Sequence, residues 1–315
     1  MPVIVAPYTP PPPALAEAPP PILRQGFRHT LLGWDGSEWD LTGMTSGVVL
    51  VEGGVRGLGM PPVTHYRDQS PALPGSRYRG TRVEDRSGFW PVFVYHDDTE
   101  QDWINLNQSF TKTMRPTEIS TWRVIQPNAA TRYLDVRYEG GLDEPFEADP
   151  SFRGWALHGI TLNAEQPYWR GDAILRTFET RPTASGLNFG GPGVINIFPG
   201  VTFDTASISN PGDVPSRVAW VLRGPLESAR VGVGSKMIDV PFQLFAGEVL
   251  TIYTEPDLML ALDGDGVDRT DDLGPTSDLS GTIQPGSDAR LSVRPGSAVG
   301  GSIEASLVPL YYMAF

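Results

Sequence analysis

Glycine or proline interrupts this chain so often that long helices are ruled out over most of its length. The 35 glycines and 31 prolines together exceed a fifth of the 315 positions. Proline removes a backbone donor, and glycine loses the most conformational freedom when it is fixed in a helix. Such dense punctuation suits short strands joined by many turns. Between the breaks stand segments rich in branched and aromatic residues, VVLVEGG (48–54), RYRGTRVEDR (77–86) and FWPVFVYH (89–96), which read as strands. In the second of these, Tyr78, Gly80, Arg82, Glu84 and Arg86 alternate with Arg79, Thr81, Val83 and Asp85. That is strand periodicity with one strongly polar face. STWRVIQP and TRYLDVRYEGG follow, and in the latter Tyr133, Asp135, Arg137 and Glu139 alternate with Leu134, Val136 and Tyr138.

One segment, DDTEQDWINLNQSFTKTMRP (97–116), breaks the rule and predicts a helix over 99–115. Thr99 and Asp102 stand at the spacing of a capping box. Trp103, Leu106, Phe110 and Met114 recur at three and four residues, one apolar stripe suited to a core. Lys112 and Arg115 favour the negative end of the helix dipole, and Pro116 stops the helix.

The chain divides by composition. Residues 1–24 form a proline-rich arm in which Pro10 to Pro13 and Pro19 to Pro21 favour extended polyproline II. Val3, Ile4, Val5 and Tyr8 give that arm something to bury against a neighbouring subunit. A first β domain spans 25–172, with its boundary between Gly171 and Gly186 and a linker at 173–185. From Gly186 charge thins and glycine rises, and the regular short strands of 186–315 suggest a β-sandwich or jelly roll. The fold class is therefore mainly β with a single helix.

Charge and residue inventory exclude several functions. A net charge of −13 and a pI near 4.7 argue against nucleic acid, whose phosphates need a basic stripe to release counterions. Absence of cysteine removes disulfides, thiolate metal sites and cysteine nucleophiles. No apolar run reaches the roughly 18 residues of a membrane span. The N-terminus lacks the basic start and continuous apolar stretch of a signal peptide, so a product used without secretion is expected. His29, His65, His96 and His158 are scattered without metal-ligand spacing, and no serine sits in a nucleophile elbow. Neither glycine-rich stretch, VEGGVRGLGMPP nor NFGGPGV, carries the Lys-Ser/Thr of a phosphate loop. No cofactor is expected.

The densest carboxylates lie in LALDGDGVDRTDDLGP, where Asp263 and Asp265 match the first two ligand positions of an EF-hand loop. Val267 and Asp268 then occupy the positions that require an oxygen ligand and a glycine, so the match fails. Two Asp-Gly pairs fit a tight reversal of the chain better. The loop is expected to be a turn, with a weak surface cation site second and paired-carboxylate catalysis a remote third.

Taken in order, SRYRGTRVEDRSGFWPVFVY, the helix, STWRVIQPNAATRYLDVRYEGG and LNAEQPYWRGD resemble the N-terminal half of siphophage distal tail proteins, especially minor tail proteins of actinobacterial phages. ISNPGDVPSRVAWVLRGP, GEVLTIYTEPDLMLALDGDGVDR and SDLSGTIQPGSDARLSV, with ASLVPLYYMAF, resemble their C-terminal half. The likeness thus covers nearly everything after the proline arm. It implies an N-terminal sandwich or split-barrel domain that forms a ring, commonly a hexamer, and an outer galectin-like sandwich. It further implies a structural virion protein at the distal end of the tail, made in the host cytoplasm, with no enzymatic activity. The partners implied are other copies of itself, the tail tube protein, the tail-tip hub and the tape measure protein. Subunit contacts are expected from Tyr8, Tyr78, Arg79, Arg82, Arg86 and Arg137. The rival readings are a carbohydrate-binding module at the host surface, with Trp220, Tyr253, Tyr311 and Tyr312 as stacking candidates, and a tail-associated hydrolase.

Overall fold

The computed structural model describes residues 26–51, 54–71, 73–143, 149–180, 194–197, 206–296 and 300–315. The expected proline-rich arm, Tyr8 included, lies outside the described residues. The first unit contains β1 (Arg28–Leu32), β2 (Glu38–Asp40), β3 (Val48–Leu50), β4 (Val63–Ser70), β5 (Leu73–Val83), β6 (Arg86–Tyr95), α1 (Glu100–Lys112), β7 (Ser120–Ile125), β8 (Thr131–Gly140), the one-turn α2 (Pro150–Arg153), β9 (Trp155–Ala164) and β10 (Trp169–Arg170). Its main sheet runs β2-β1-β7-β8-β9-β6-β3. Backbone bonds from Leu50 to Leu41 (2.8 Å) and from Leu41 to His29 (2.9 Å) tie the β3 edge back towards β1, so the sheet nearly closes. Closure leaves little bare strand edge to template a foreign strand.

Alternation decides which residues fill this unit. Along β6 every second side chain, Trp90, Val92 and Val94 among them, is buried. Trp90 and Trp169 meet the edge of Trp122 at 5.0 and 5.1 Å, and Phe110 of α1 seats against Trp39 at 5.5 Å. Each such side chain is worth roughly 1.5–3 kcal/mol when removed from water. The expected helix forms, but it ends at Lys112 with Thr113 as its C-cap, three residues short of 115. Thr99 caps it, accepting from the Asp102 amide, and Trp103, Phe110 and Met114 face the core. Gly141 follows β8 at φ +98°, and a Cβ there would stand 1.9 Å from the Gly159 carbonyl oxygen, so only glycine lets the chain leave β8 so close to β9.

The second unit comprises β11 (Ile174–Thr180), β12 (Val194–Ile197), β13 (Ser207–Asn210), β14 (Ser216–Arg223), β15 (Ala229–Val233), β16 (Lys236–Val240), β17 (Val249–Glu255), β18 (Leu258–Asp263), β19 (Thr282–Ile283), β20 (Ser287–Pro295), β21 (Ser302–Leu307) and β22 (Leu310–Tyr311). One sheet runs β12-β11-β21-β14-β17-β18 and the other β13-β20-β15-β16. Their inner faces share one core: Trp220, Leu222, Ile252 and Ile303 from the first sheet meet Ile208, Val231, Ile238 and Val293 from the second. This is a β-sandwich, as the short regular strands predict. Ile174–Thr180, inside the segment expected to be a linker, is instead a strand of this unit, zipped along β21. β22 leaves the sandwich and pairs with β10 of the first sheet, Trp169 opposite Tyr311 and Arg170 opposite Leu310. The chain therefore ends inside the first unit's architecture. Among the described residues no helix is long and apolar enough to cross a membrane.

Candidate assembly surface

β4 and β5 form a sheet of their own, joined to nothing else by strand pairing. The segment expected as one strand over 77–86 is divided: β5 stops at Val83, Glu84 and Asp85 make the corner, and Arg86 opens β6. What the alternation of 77–83 reports is one side of a long hairpin, whose other strand, Val63–Ser70, carries few branched or aromatic residues. Tyr66 is 51% and Tyr78 60% exposed, and their neighbours along both strands are exposed as well. Cross-links within the hairpin are local: His65 Nδ1 and the Tyr78 hydroxyl each meet Thr81 Oγ1, at 2.7 and 2.6 Å, and Arg79 pairs with Asp68 at 2.5 Å. A register shift between Tyr66 and Arg67 twists it. Tyr78, Arg79 and Arg82 thus stand together on a projecting arm.

Arg86 and Arg137 do not join them. Arg86, expected on the same polar face, is 2% exposed. Its guanidinium donates to the carbonyls of Pro167 (2.6 Å), Gly57 (2.7 Å), Gly59 and Tyr312 (2.7 Å). Burial pulls its pKa down to about 10, still charged at neutral pH. It is an internal brace with no face left for a partner. Arg137 pairs with Glu165 at 2.9 Å and, with Asp135, Asn163, Gln166 and Asp257, lines a cavity of about 240 Å³ at the junction of the two units.

The aspartate cluster is a turn. Asp263 accepts the amides of Asp265 (3.1 Å) and Val267 (2.9 Å) through its Oδ1, and its own amide donates to the Val267 carbonyl at 3.0 Å. Asp268 accepts from the amide and hydroxyl of Thr270, which holds its carboxyl below the ordinary range. Carboxylates already committed to backbone donors shape a chain reversal. Among the described residues no group of three or more His, Asp and Glu is arranged to hold a metal ion. Asp263→Asn keeps the accepting oxygen and is expected to leave the melting temperature unchanged, whereas Asp263→Ala costs about 1 kcal/mol. Millimolar calcium is expected to shift neither melting curve, and a calcium-dependent rise in the native protein would overturn the turn reading.

The stacking candidates for a sugar are largely occupied. Trp220 is 1% exposed in the sandwich core, Tyr311 lies beneath the Arg132 guanidinium at 3.6 Å, and Tyr312 packs edge-on to Tyr168.

No family model and no curated protein matches this chain. Solved structures do. The SPP1 Dit protein, described as a paradigm of the hub adsorption apparatus in Gram-positive infecting phages, is similar over 90% of this chain and 98% of its own, with a TM-score of 0.57 at 14% identity. Chains of the phage P2 baseplate in its activated conformation with Ca and with Sr cover the same shares, each at a TM-score of 0.54, with 11% and 12% identity. The class is therefore a mainly β, two-unit fold. More particularly, it is the fold of the phage distal tail proteins, the family that the ordered sequence segments resemble.

Proposed function

We propose that this chain is a structural protein of a phage tail tip, a distal tail protein whose copies close into a ring of six between the tail tube and the hub. The observation that carries the reading is the fold likeness to SPP1 Dit, which runs through both units and spans nearly the whole of each chain. The arm supports it. An isolated two-stranded hairpin is marginal in water, and one with both faces exposed is better explained by a surface that another copy covers. In a closed ring each copy meets the next through two different surfaces. Tyr78, Arg79 and Arg82 are the contact residues proposed on the arm. The tube protein, the hub and the tape measure protein are the neighbours that follow from this position, the virion is the location, and assembly without turnover is the mode of action.

The test is to image intact particles carrying bound antibody against this chain, alongside negative-stain images of the purified protein. Label at the distal end of the tail and closed ring particles are the expected outcome. Label on the capsid or along the tail shaft would sink the proposal.

A further inference from the structure

The outer face of β3, β6 and β9 breaks the rule that the wet face of an antiparallel sheet is polar. Inward, Val92, Val94 and Ala156 enter the core. Outward, Val49, Phe93 and Leu157 form one cross-strand row, and Tyr95 with Trp155 forms the next. Phe93 stacks on Tyr95 at 5.5 Å and leans on Trp155 at 5.6 Å. Even so, Trp155 remains 41% and Leu157 52% exposed. A contiguous aromatic patch held open to water marks a contact surface.

Charge indicates the occupant. Exposed Asp97 and Asp98 follow Tyr95 after His96, and the exposed Asp149 caps α2, which leads into Trp155, so the rim carries three carboxylates against the one guanidinium of Arg153. The arm is the reverse. Between Val63 and Val83 it carries Arg67, Arg77, Arg79 and Arg82 against Asp68 alone, in a chain of net charge −13. Guanidinium groups fit this face, as Arg153 already shows by lying over the Trp155 ring at 5.5 Å. The arm also exposes the large apolar side chains of Val63, Tyr66 and Tyr78. Its strands of 8 and 11 residues reach about 25–35 Å. Arm and patch belong to opposite ends of β6: the arm enters β6 at Arg86, and the patch surrounds Phe93 and Tyr95. Two unlike, complementary surfaces at opposite ends of one strand suit a head-to-tail contact.

We infer that the β4–β5 arm of one copy lies on the Phe93–Trp155–Leu157 face of the next copy. The inference rests on the ring reading and names the surface that receives the arm. Because the chain has no cysteine, a pair of introduced thiols reports this contact alone. The double variant Tyr78→Cys/Leu157→Cys, treated with a short bismaleimide, is expected to give a ladder of covalent multimers on a denaturing gel. Each single variant is expected to give none. Leu157→Glu, at a half-exposed position, is expected to abolish ring particles while the melting temperature stays within a few degrees of the parent. Rings in the micrographs with monomer only on the gel would overturn this contact and leave the ring reading intact. Absence of both rings and ladder would overturn the two together.

Discussion

Arg86→Ala is expected to lower the stability of the first unit by about 4 kcal/mol, a large share of what a domain possesses. Four carbonyls, those of Gly57, Gly59, Pro167 and Tyr312, converge on one buried guanidinium. Removing it leaves the carbonyls of Gly59, Pro167 and Tyr312 without a donor, each worth about 1–3 kcal/mol if it stays dry, while Gly57 keeps the Trp169 indole N–H at 3.3 Å. Water entering the vacated volume recovers part of that, which brings the estimate down from the sum. Four acceptors at once also require a planar fork of donors, so Arg86→Lys is expected to recover less than half, because a single ammonium cannot reach them all. Calorimetry of the full chain is the measurement. At roughly 2–4 °C per kcal/mol for a unit of this size, the alanine variant should melt about 8–16 °C lower. A shift under about 2 °C would mean that the carbonyls find other donors and that the brace is decorative.

How far the sequence foretold this architecture depends on the range of each interaction. The helix was legible because its determinants are local: the cap at Thr99 and the apolar stripe from Trp103, with an end at Lys112 shortly before Pro116. Strand character was legible for the same reason, since alternation is a property of neighbours. The sandwich was readable as a class from the spacing of its strands, and Trp220, set in an apolar run, is buried as that run suggests. The role of Arg86 was not legible. Its alternation with Tyr78, Gly80, Arg82 and Glu84 continues unbroken through a corner that the backbone makes at Glu84 and Asp85. A polar face on an exposed hairpin and a buried brace then look alike, because what separates them is a carbonyl 226 positions away. The hairpin itself was half visible: VTHYRDQS carries few of the branched and aromatic residues by which the other strands announce themselves. The Asp-Gly pairs of the aspartate loop predict a turn, and its hydrogen bonds are those of a turn.

The end of the chain shows the same limit on a larger scale, and it sets the second expectation. Composition assigns residues 310–315 to the sandwich they follow, yet their bonds lie mostly with the first unit. Leu310 and Tyr311 pair with β10, the Ala314 amide donates to the Leu58 carbonyl at 2.9 Å, and Gln126 Nε2 donates to the Ala314 carbonyl at 2.9 Å. Ala314 is fully buried, and Phe315 stacks on Phe27 at 5.6 Å. Deleting residues 310–315 is therefore expected to destabilise the first unit by about 5 kcal/mol, from lost apolar burial and from the acceptors and donors left open. The sandwich should lose far less, since no member of its buried core lies beyond Leu307. Hydrogen exchange distinguishes the two: amides of β1 and β7 should lose protection while those of β15 and β20 keep it. Equal loss in both units would mean that the tail holds the sandwich as well and that the two cores unfold as one. Combined with Arg86→Ala, the deletion should cost less than the sum of the two changes, because the Tyr312 carbonyl and its donor are counted in both. If the costs added in full, Arg86 and the tail would be bracing the unit independently, and the link between chain end and brace would be coincidental.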